Sequence, residues 1–554
     1  MVKETFYSFR LNNGVIAILL TLFFSTEFIY GQEVTYNFFY RISFKDKGTN
    51  DINNYSAADL LSERAVERRA KANIPVPDFR DLPVYSGYIE QISASGLKFH
   101  STSRWMNTAL FKTETLKDIG YLENLPFISD VKIVKNTGGK GAGADKLDFE
   151  TIQDNFPPFD QPIVMLNGQS VHNSGFNGKG IIIAVLDGGF ENAENITSLE
   201  SLRNRKGIKG TFDFAGNQSN VYGYHTHGTA VLSVLAGNIP GYITGSARDA
   251  DYWLLRTEDT ESEYPVEEDF WITAAEFADS LGADIISSSL GYYNFDDPLL
   301  NYKYSDMDGN SAYVTRAADI AASKGILVVN SAGNERNKTW IRIIAPSDGD
   351  SVLAVGAVAW DRTISSFSSA GPSSDNRIKP DLVSQGVSVA VQTKTTVVER
   401  SSGTSFSCPV ISGMCACILQ AVPQATIYDI ITSLCSASDR YHSPDSLYGY
   451  GIPDVVEAIN KLQEKYVLQT DKGSVVSPNP FSEVLKITFS EIPENLSIGI
   501  FDITGKLLFK TSYSNYISRT LILDDMAHYS AGIYFIRLDT PGGSFTHKVI
   551  KISN

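Results

Sequence analysis

Three short motifs carry residue types suited to nucleophilic chemistry. Asp187 follows the apolar run Ile181-Ile182-Ile183-Ala184-Val185-Leu186 and precedes Gly188-Gly189; His227 opens His227-Gly228-Thr229-Ala230-Val231; Ser405 lies in Gly403-Thr404-Ser405-Phe406-Ser407-Cys408-Pro409. A serine hydroxyl is a poor nucleophile at its own pKa and needs a neutral imidazole within reach to take its proton. A carboxylate on the other ring nitrogen fixes the tautomer and stabilises the charge that develops. Each motif is weak alone, because an aspartate after an apolar strand is usually a turn or cap residue. His-Gly is a common loop dipeptide, and Gly-Thr-Ser recurs by chance. The weight lies in their ordered occurrence on separate elements, one carboxylate at a strand end and one histidine at a helix start.

Further runs agree with them: Ser289-Leu290-Gly291, Ser331-Ala332-Gly333-Asn334, Ser366-Phe367-Ser368-Ser369-Ala370-Gly371-Pro372, Lys379-Pro380-Asp381-Leu382-Val383 and Gly449-Tyr450-Gly451-Ile452-Pro453-Asp454. With the chain order Asp, His, Ser, these runs resemble the subtilase family of serine endopeptidases. The resemblance implies a triad of Asp187, His227 and Ser405. It implies an oxyanion hole made by Asn334 and the backbone N–H of Ser405. It also implies substrate contacts at Ser289, Leu290, Gly291, Ser331, Ala332 and Gly333. Substrates would be proteins or peptides, no cofactor is required, and structural calcium is left open. Two departures lie near the reacting atoms. Ala230-Val231 stands where the family commonly has His or Tyr, and Ser407-Cys408 where it usually has Ala-Thr or Ala-Ala. The competing reading is a catalytically silent, surface-binding homologue, which would have no reason to keep all four residues. An esterase of the α/β-hydrolase kind fails because residue 407 is Ser, where a nucleophile elbow needs Gly. His225 reads as a loop residue rather than half of a metal pair, since no carboxylates stand at ligand spacing around it.

The elements that must hold these residues read as α/β between 151 and 463. Ile181–Leu186, Ala283–Ser289, Ile326–Val329 and Val352–Val358 are short apolar runs suited to strands buried on both faces. Helical patterns at Gly228–Ala236, Trp271–Leu281 and Ala312–Lys324 alternate with them, which predicts a doubly wound parallel sheet. Functional residues then belong beyond the carboxyl ends of the strands.

Other segments flank this domain. Lys3 and Arg10 precede the apolar Val15–Phe24, and Gly31 follows, so 1–31 reads as a signal peptide. The competitor is an uncleaved anchor, for which the run is short. Residues 32–135 predict the order β-α-β-β-α-β. The strands are Tyr36–Phe44, Tyr85–Ile92, Arg104–Lys112 and Ile128–Val134; the helices run from Ser56, as N-cap, to Ala72 and from Thr115 to Asn124. That ferredoxin-like unit resembles the family's propeptide, a folding chaperone and inhibitor; an unrelated ligand-binding domain is the alternative. Glycines at 138, 139, 141 and 143 mark 136–150 as a linker where a maturation cut is easiest. Residues 474–554 turn all-β, a β-sandwich. Ser477-Pro478-Asn479-Pro480, Ala531-Gly532-Ile533-Tyr534-Phe535 and Lys548-Val549-Ile550-Lys551 there resemble a type IX secretion sorting domain, against a generic adhesive sandwich. The partner implied is the type IX machinery. The location implied is the cell surface or medium, reached through the periplasm of a Gram-negative bacterium, with no transmembrane span in the mature form.

A net charge of −16 and a pI near 5.0 argue against a nucleic-acid partner. Cys408, Cys415, Cys417 and Cys435 fall in one stretch, and the first two are too far apart along one helix to bond. Buried free thiols are expected. The acidic stretch Glu258, Asp259, Glu261, Glu263, Glu267, Glu268 and Asp269 reads as a solvated loop, with basic-residue recognition or calcium as alternatives.

Overall fold

The computed structural model describes residues 38–136, 147, 151–152, 161–468, 473–516, 518–524 and 526–552. The signal-peptide segment, and the linker apart from Asn136 and Leu147, lie outside them.

In the N-terminal domain β1 (Phe38–Phe44), β2 (Lys98–Ser103), β3 (Thr108–Thr113) and β4 (Ile128–Lys135) form an antiparallel sheet in the order β2-β3-β1-β4. Successive side chains of a strand point to opposite faces, and β1 uses both. Tyr40, Ile42 and Phe44 enter the domain's own core, while Phe39 and Arg41 face the central domain.

Three expectations in this domain are corrected. Tyr85–Ile92 is not a strand but helix α2 (Ser86–Ser93), following α1 (Glu63–Lys71). Its apolar residues Tyr85, Tyr88, Ile89 and Ile92 recur at helical spacing, and Tyr88 stacks on Phe127 with ring centroids 4.0 Å apart. The missing strand is β2. The helix expected from Ser56 to Ala72 breaks after the single turn Ala57–Leu60, and Ser62 caps its continuation by accepting from Ala65 N (3.3 Å). The helix expected at Thr115–Asn124 is a 3-10 turn, Gly120–Asn124.

The central domain is built on seven parallel strands: β5 (Ile182–Asp187), β6 (Ile208–Asp213), β7 (Asp251–Arg256), β8 (Ile285–Ser288), β9 (Leu327–Ser331), β10 (Val352–Val358) and β11 (Leu382–Gln385), in the order β11-β10-β9-β8-β5-β7-β6. Alternation sorts β5 between two cores: Ile183 and Val185 pack with α3 (His227–Ala236) and α6 (Thr404–Ala421), Ala184 and Leu186 with α4 (Val266–Leu281) and α5 (Tyr313–Ser323). Helices thus cover both faces, as a doubly wound sheet requires. The four cysteines are unpaired and buried around α6 and the helix that follows it.

The acidic stretch is not a solvated loop. Glu258, Glu267, Glu268 and Asp269 are all buried. Asp269 takes two hydrogen bonds from Arg41 (2.6 and 2.7 Å), and that guanidinium lies 3.6 Å above the Tyr313 ring. Glu268 accepts from Tyr302 Oη (2.7 Å) and Val314 N (3.2 Å). Further along α4, Asp279 pairs with Arg68 and Arg69, the latter at 2.6 Å. Glu276 accepts from Ser103 Oγ and from the backbone of Arg104 and Trp105 at 2.9 and 3.1 Å. His100 adds a bond from Nε2 to Phe214 O (2.9 Å). The contacts of Asp269, Glu276 and Asp279 join the N-terminal domain to α4, Arg41 reaches α5 through Tyr313, and His100 reaches the end of β6.

Helix α7 (Val455–Leu468) leads to a β-sandwich. A three-stranded sheet, β12 (Ser474–Ser477), β13 (Leu485–Phe489) and β16 (Thr520–Leu523), shares one core with a four-stranded sheet, β14 (Asn495–Asp502), β15 (Leu507–Ser514), β17 (Gly532–Thr540) and β18 (Gly543–Lys551).

Candidate active site

Asp187, Ser288 and Ser331 end β5, β8 and β9, and the pairing of Leu186 with Ser288 and Ser288 with Asn330 puts these ends on one level. His227 begins α3. Its Nδ1 donates to Asp187 Oδ1 (2.8 Å), which also accepts from Gly188 N (2.8 Å). A proton on Nδ1 leaves Nε2 as the basic nitrogen. The approach depends on Gly228, where a Cβ would lie 2.4 Å from Gly189 O and 2.9 Å from Asp187 Cβ. The start of α3 is held by His225, whose Nδ1 accepts from His227 N (3.0 Å). Sequence reading had no signal for that cap.

Ser405 is the second residue of α6, and Phe406 beside it lies 6.2 Å from His227, ring centroid to ring centroid. The first N–H groups of a helix have no intrahelical acceptor, so Ser405 N belongs to a donor cluster at the positive end of the helix dipole. Pro409 in turn has no N–H for Ser405 O, the acceptor four residues back. Ser289 Oγ supplies that donor instead (3.0 Å), which ties Ser289-Leu290-Gly291 to the serine's own backbone. The second strand extension is tied likewise, by Gly333 N to Thr404 Oγ1 (3.3 Å). Asn334 gives its carboxamide oxygen to Thr404 N (2.9 Å) and Thr404 Oγ1 (3.0 Å), so its amide nitrogen points the other way. Asn330 Nδ2 braces both extensions through Leu290 O (3.0 Å) and Ser331 O (2.9 Å), and Ala332 N bonds Val355 O (2.9 Å). All ten residues named from the sequence therefore lie at the strand ends or at the starts of α3 and α6.

Residues 178–451 match the model of the subtilase family. The central domain is a subtilase. Residues 39–146 match a peptidase S8 propeptide domain of Bacteroidota, and 475–552 a secretion system C-terminal sorting domain. Curated relatives are named as serine proteases, and the chain is a serine-type peptidase, secreted or held at the cell surface. The major intracellular serine protease of Bacillus subtilis is 29% identical over 46% of this chain and 73% of its own length. Subtilisin DY of Bacillus licheniformis is 26% identical over 53% of this chain and 97% of its own. The subtilisin-like protease SBT6.1 of Arabidopsis thaliana is 28% identical over 46% of this chain, which spans only 24% of that protein.

Within the subtilase domain, oxygens of Glu258, Glu263 and Glu267 lie within 4.8 Å of one another, a donor set that suits a hard cation. Glu267 already accepts from Asp259 N (2.8 Å) and Tyr264 N (3.2 Å), and Glu258 from Tyr292 Oη (2.5 Å). The carboxylates thus brace the loop beside Gly291.

Proposed function

We propose that this protein is a secreted subtilisin-like endopeptidase that cleaves peptide bonds through an acyl-enzyme on Ser405. The observation that carries the reading is the buried Asp187–His227 pair, its tautomer set by the carboxylate, beside the helix start that bears Ser405. His227 Nε2 takes the Ser405 proton as Oγ attacks the scissile carbonyl, then returns it to the leaving amine. Ser405 N–H and Asn334 Nδ2 receive the oxyanion; such a donor contributes ~10²–10³ in turnover. Water, activated by the same imidazole, releases the acid. The substrate backbone lies along Ser289–Gly291 and Ser331–Gly333. The chain's own side chains and backbone N–H groups supply this chemistry. The N-terminal domain is the inhibitory propeptide, cut from the subtilase domain between Asn136 and Thr151, and the β-sandwich serves recognition by the type IX machinery.

Ser405→Ala tests the assignment. Turnover of a peptide substrate by the purified variant is expected to fall by about 10⁶-fold, and intact mass should show the propeptide still attached. A variant cleaving near the wild-type rate would displace Ser405 from its role.

A further inference from the structure

We infer that Ile344 fills the pocket for the side chain preceding the scissile bond, so that this enzyme cleaves after small residues such as glycine, alanine and serine. The inference rests on the proposed roles of Ser405 and Asn334. An acyl group on Ser405 Oγ, its oxygen turned to Asn334, must send its side chain between the two strand extensions fastened to the start of α6. Gly291 and Gly333 leave room there. Ile344 occupies it: its Cδ1 would lie 2.4 Å from a Cβ on Gly291 and 2.9 Å from one on Gly333, so it touches both backbones at once. The residue is only 8% exposed.

The plug is also fixed in place. Tyr292 N donates to Ala345 O (2.8 Å), Ala345 N to Tyr292 O (3.2 Å), and Ile343 N to Ala370 O (3.0 Å), so the backbone on either side of Ile344 is bonded to a different neighbour. Trp340 Nε1 adds a bond to Ile343 O (3.0 Å), and its ring stacks on Tyr293 at 4.6 Å. A β-branched side chain on such a backbone has few rotamers to move into. The chain's own sequence fits the same preference. The linker in which the proposed maturation cut falls, residues 137–150, offers such sites at Gly138, Gly139, Gly141, Ala142, Gly143 and Ala144.

The test uses the mature enzyme and a set of tetrapeptide p-nitroanilides that differ only in the residue before the nitroanilide, with Ser405→Ala as the blank. One methylene in an apolar pocket is worth ~10–200-fold in specificity. Wild type should therefore cleave after Ala at least about tenfold better than after Phe in kcat/KM. Ile344→Gly should raise the Phe-to-Ala ratio of kcat/KM by about tenfold or more. The wild-type ratio needs no variant, so a misfolded Ile344→Gly protein does not shelter the inference. Phe cleaved as well as Ala by wild type, or an unchanged ratio in a folded variant, overturns it while the peptidase reading stands. No hydrolysis of any substrate above the Ser405→Ala blank overturns both.

Discussion

Against the N-terminal domain the subtilase domain sets buried carboxylates, Asp269, Glu276 and Asp279, each met by an arginine or by backbone N–H groups. Against the β-sandwich it sets the end of α7, where Glu464 and Lys486 pair at 2.9 Å with side chains 32% and 41% exposed. The two junctions differ in what separation leaves behind. A buried charge stripped of its partner is costly, whereas an exposed pair contributes almost nothing. The N-terminal domain is thus part of the electrostatic completion of α4, and the sandwich is a tethered neighbour. One junction resists loss of its partner and the other opposes it little.

The sharpest way to break this contrast is Asp279→Ala. It leaves Arg68 without its carboxylate and Arg69 with only Asp81. Removing one partner of a buried pair costs ~3–5 kcal/mol. The isolated N-terminal domain should therefore inhibit the variant mature enzyme ~10²-fold or more less tightly. A change under about threefold would mean these pairs are not what holds the interface.

Acid should act through His100. Burial first, then Lys112, push its pKa down to about 4, opposed by the bond to Phe214 O and by Asp213, while Phe39 and Phe270 pack on the ring. The bound domain refuses a proton that the free one takes near pH ~6.5. The contribution is therefore constant above that pH and is lost as pH falls from about 6.5 to about 4. Between pH ~7.5 and ~5 it amounts to roughly 30-fold in inhibition. The neighbouring acids Asp269, Glu268 and Glu276, raised chiefly by burial, titrate in the opposite sense. His100→Gln keeps a donor for Phe214 without titrating, so the difference between its pH profile and that of wild type isolates the histidine. Superimposable profiles would remove it.

The smallest effect belongs to the other junction. Lys486→Ala should change the stability of the subtilase domain by less than about 0.5 kcal/mol, measured by thermal unfolding. A loss above about 2 kcal/mol would erase the contrast.

The sequence exposed the strand ends and the candidate-site motifs because those are local: an apolar run, then a polar residue that the run delivers. The parallel strands β8, β9 and β10 were found for the same reason. Three strands of the sheet, β6, β7 and β11, gave no such run, because each mixes charged or polar residues such as Lys209, Asp251 and Gln385 with its apolar ones. The acidic stretch misled because its partners are remote. Arg41 stands 228 residues from Asp269, and no window of sequence contains both. Tyr85–Ile92 misled in another way: aromatic and β-branched composition outweighed a spacing that was helical all along. The capping of α3 by His225 and the anchoring of Asn334 by Thr404 depend on loops meeting in space, and nothing in either motif announces them.

The four buried thiols have a consequence of their own. Burial raises the pKa of Cys408 to about 12 and those of Cys415, Cys417 and Cys435 upward as well, so almost no thiolate exists near neutral pH. Oxidants and alkylating agents react with the thiolate, and these sulfurs are also out of reach. A peptidase working in oxidising surroundings can therefore keep four reduced cysteines without a disulfide to show for them. Their modification would follow the opening of the core around α6, and the rate of thiol labelling would be a clock for how often this protease comes apart.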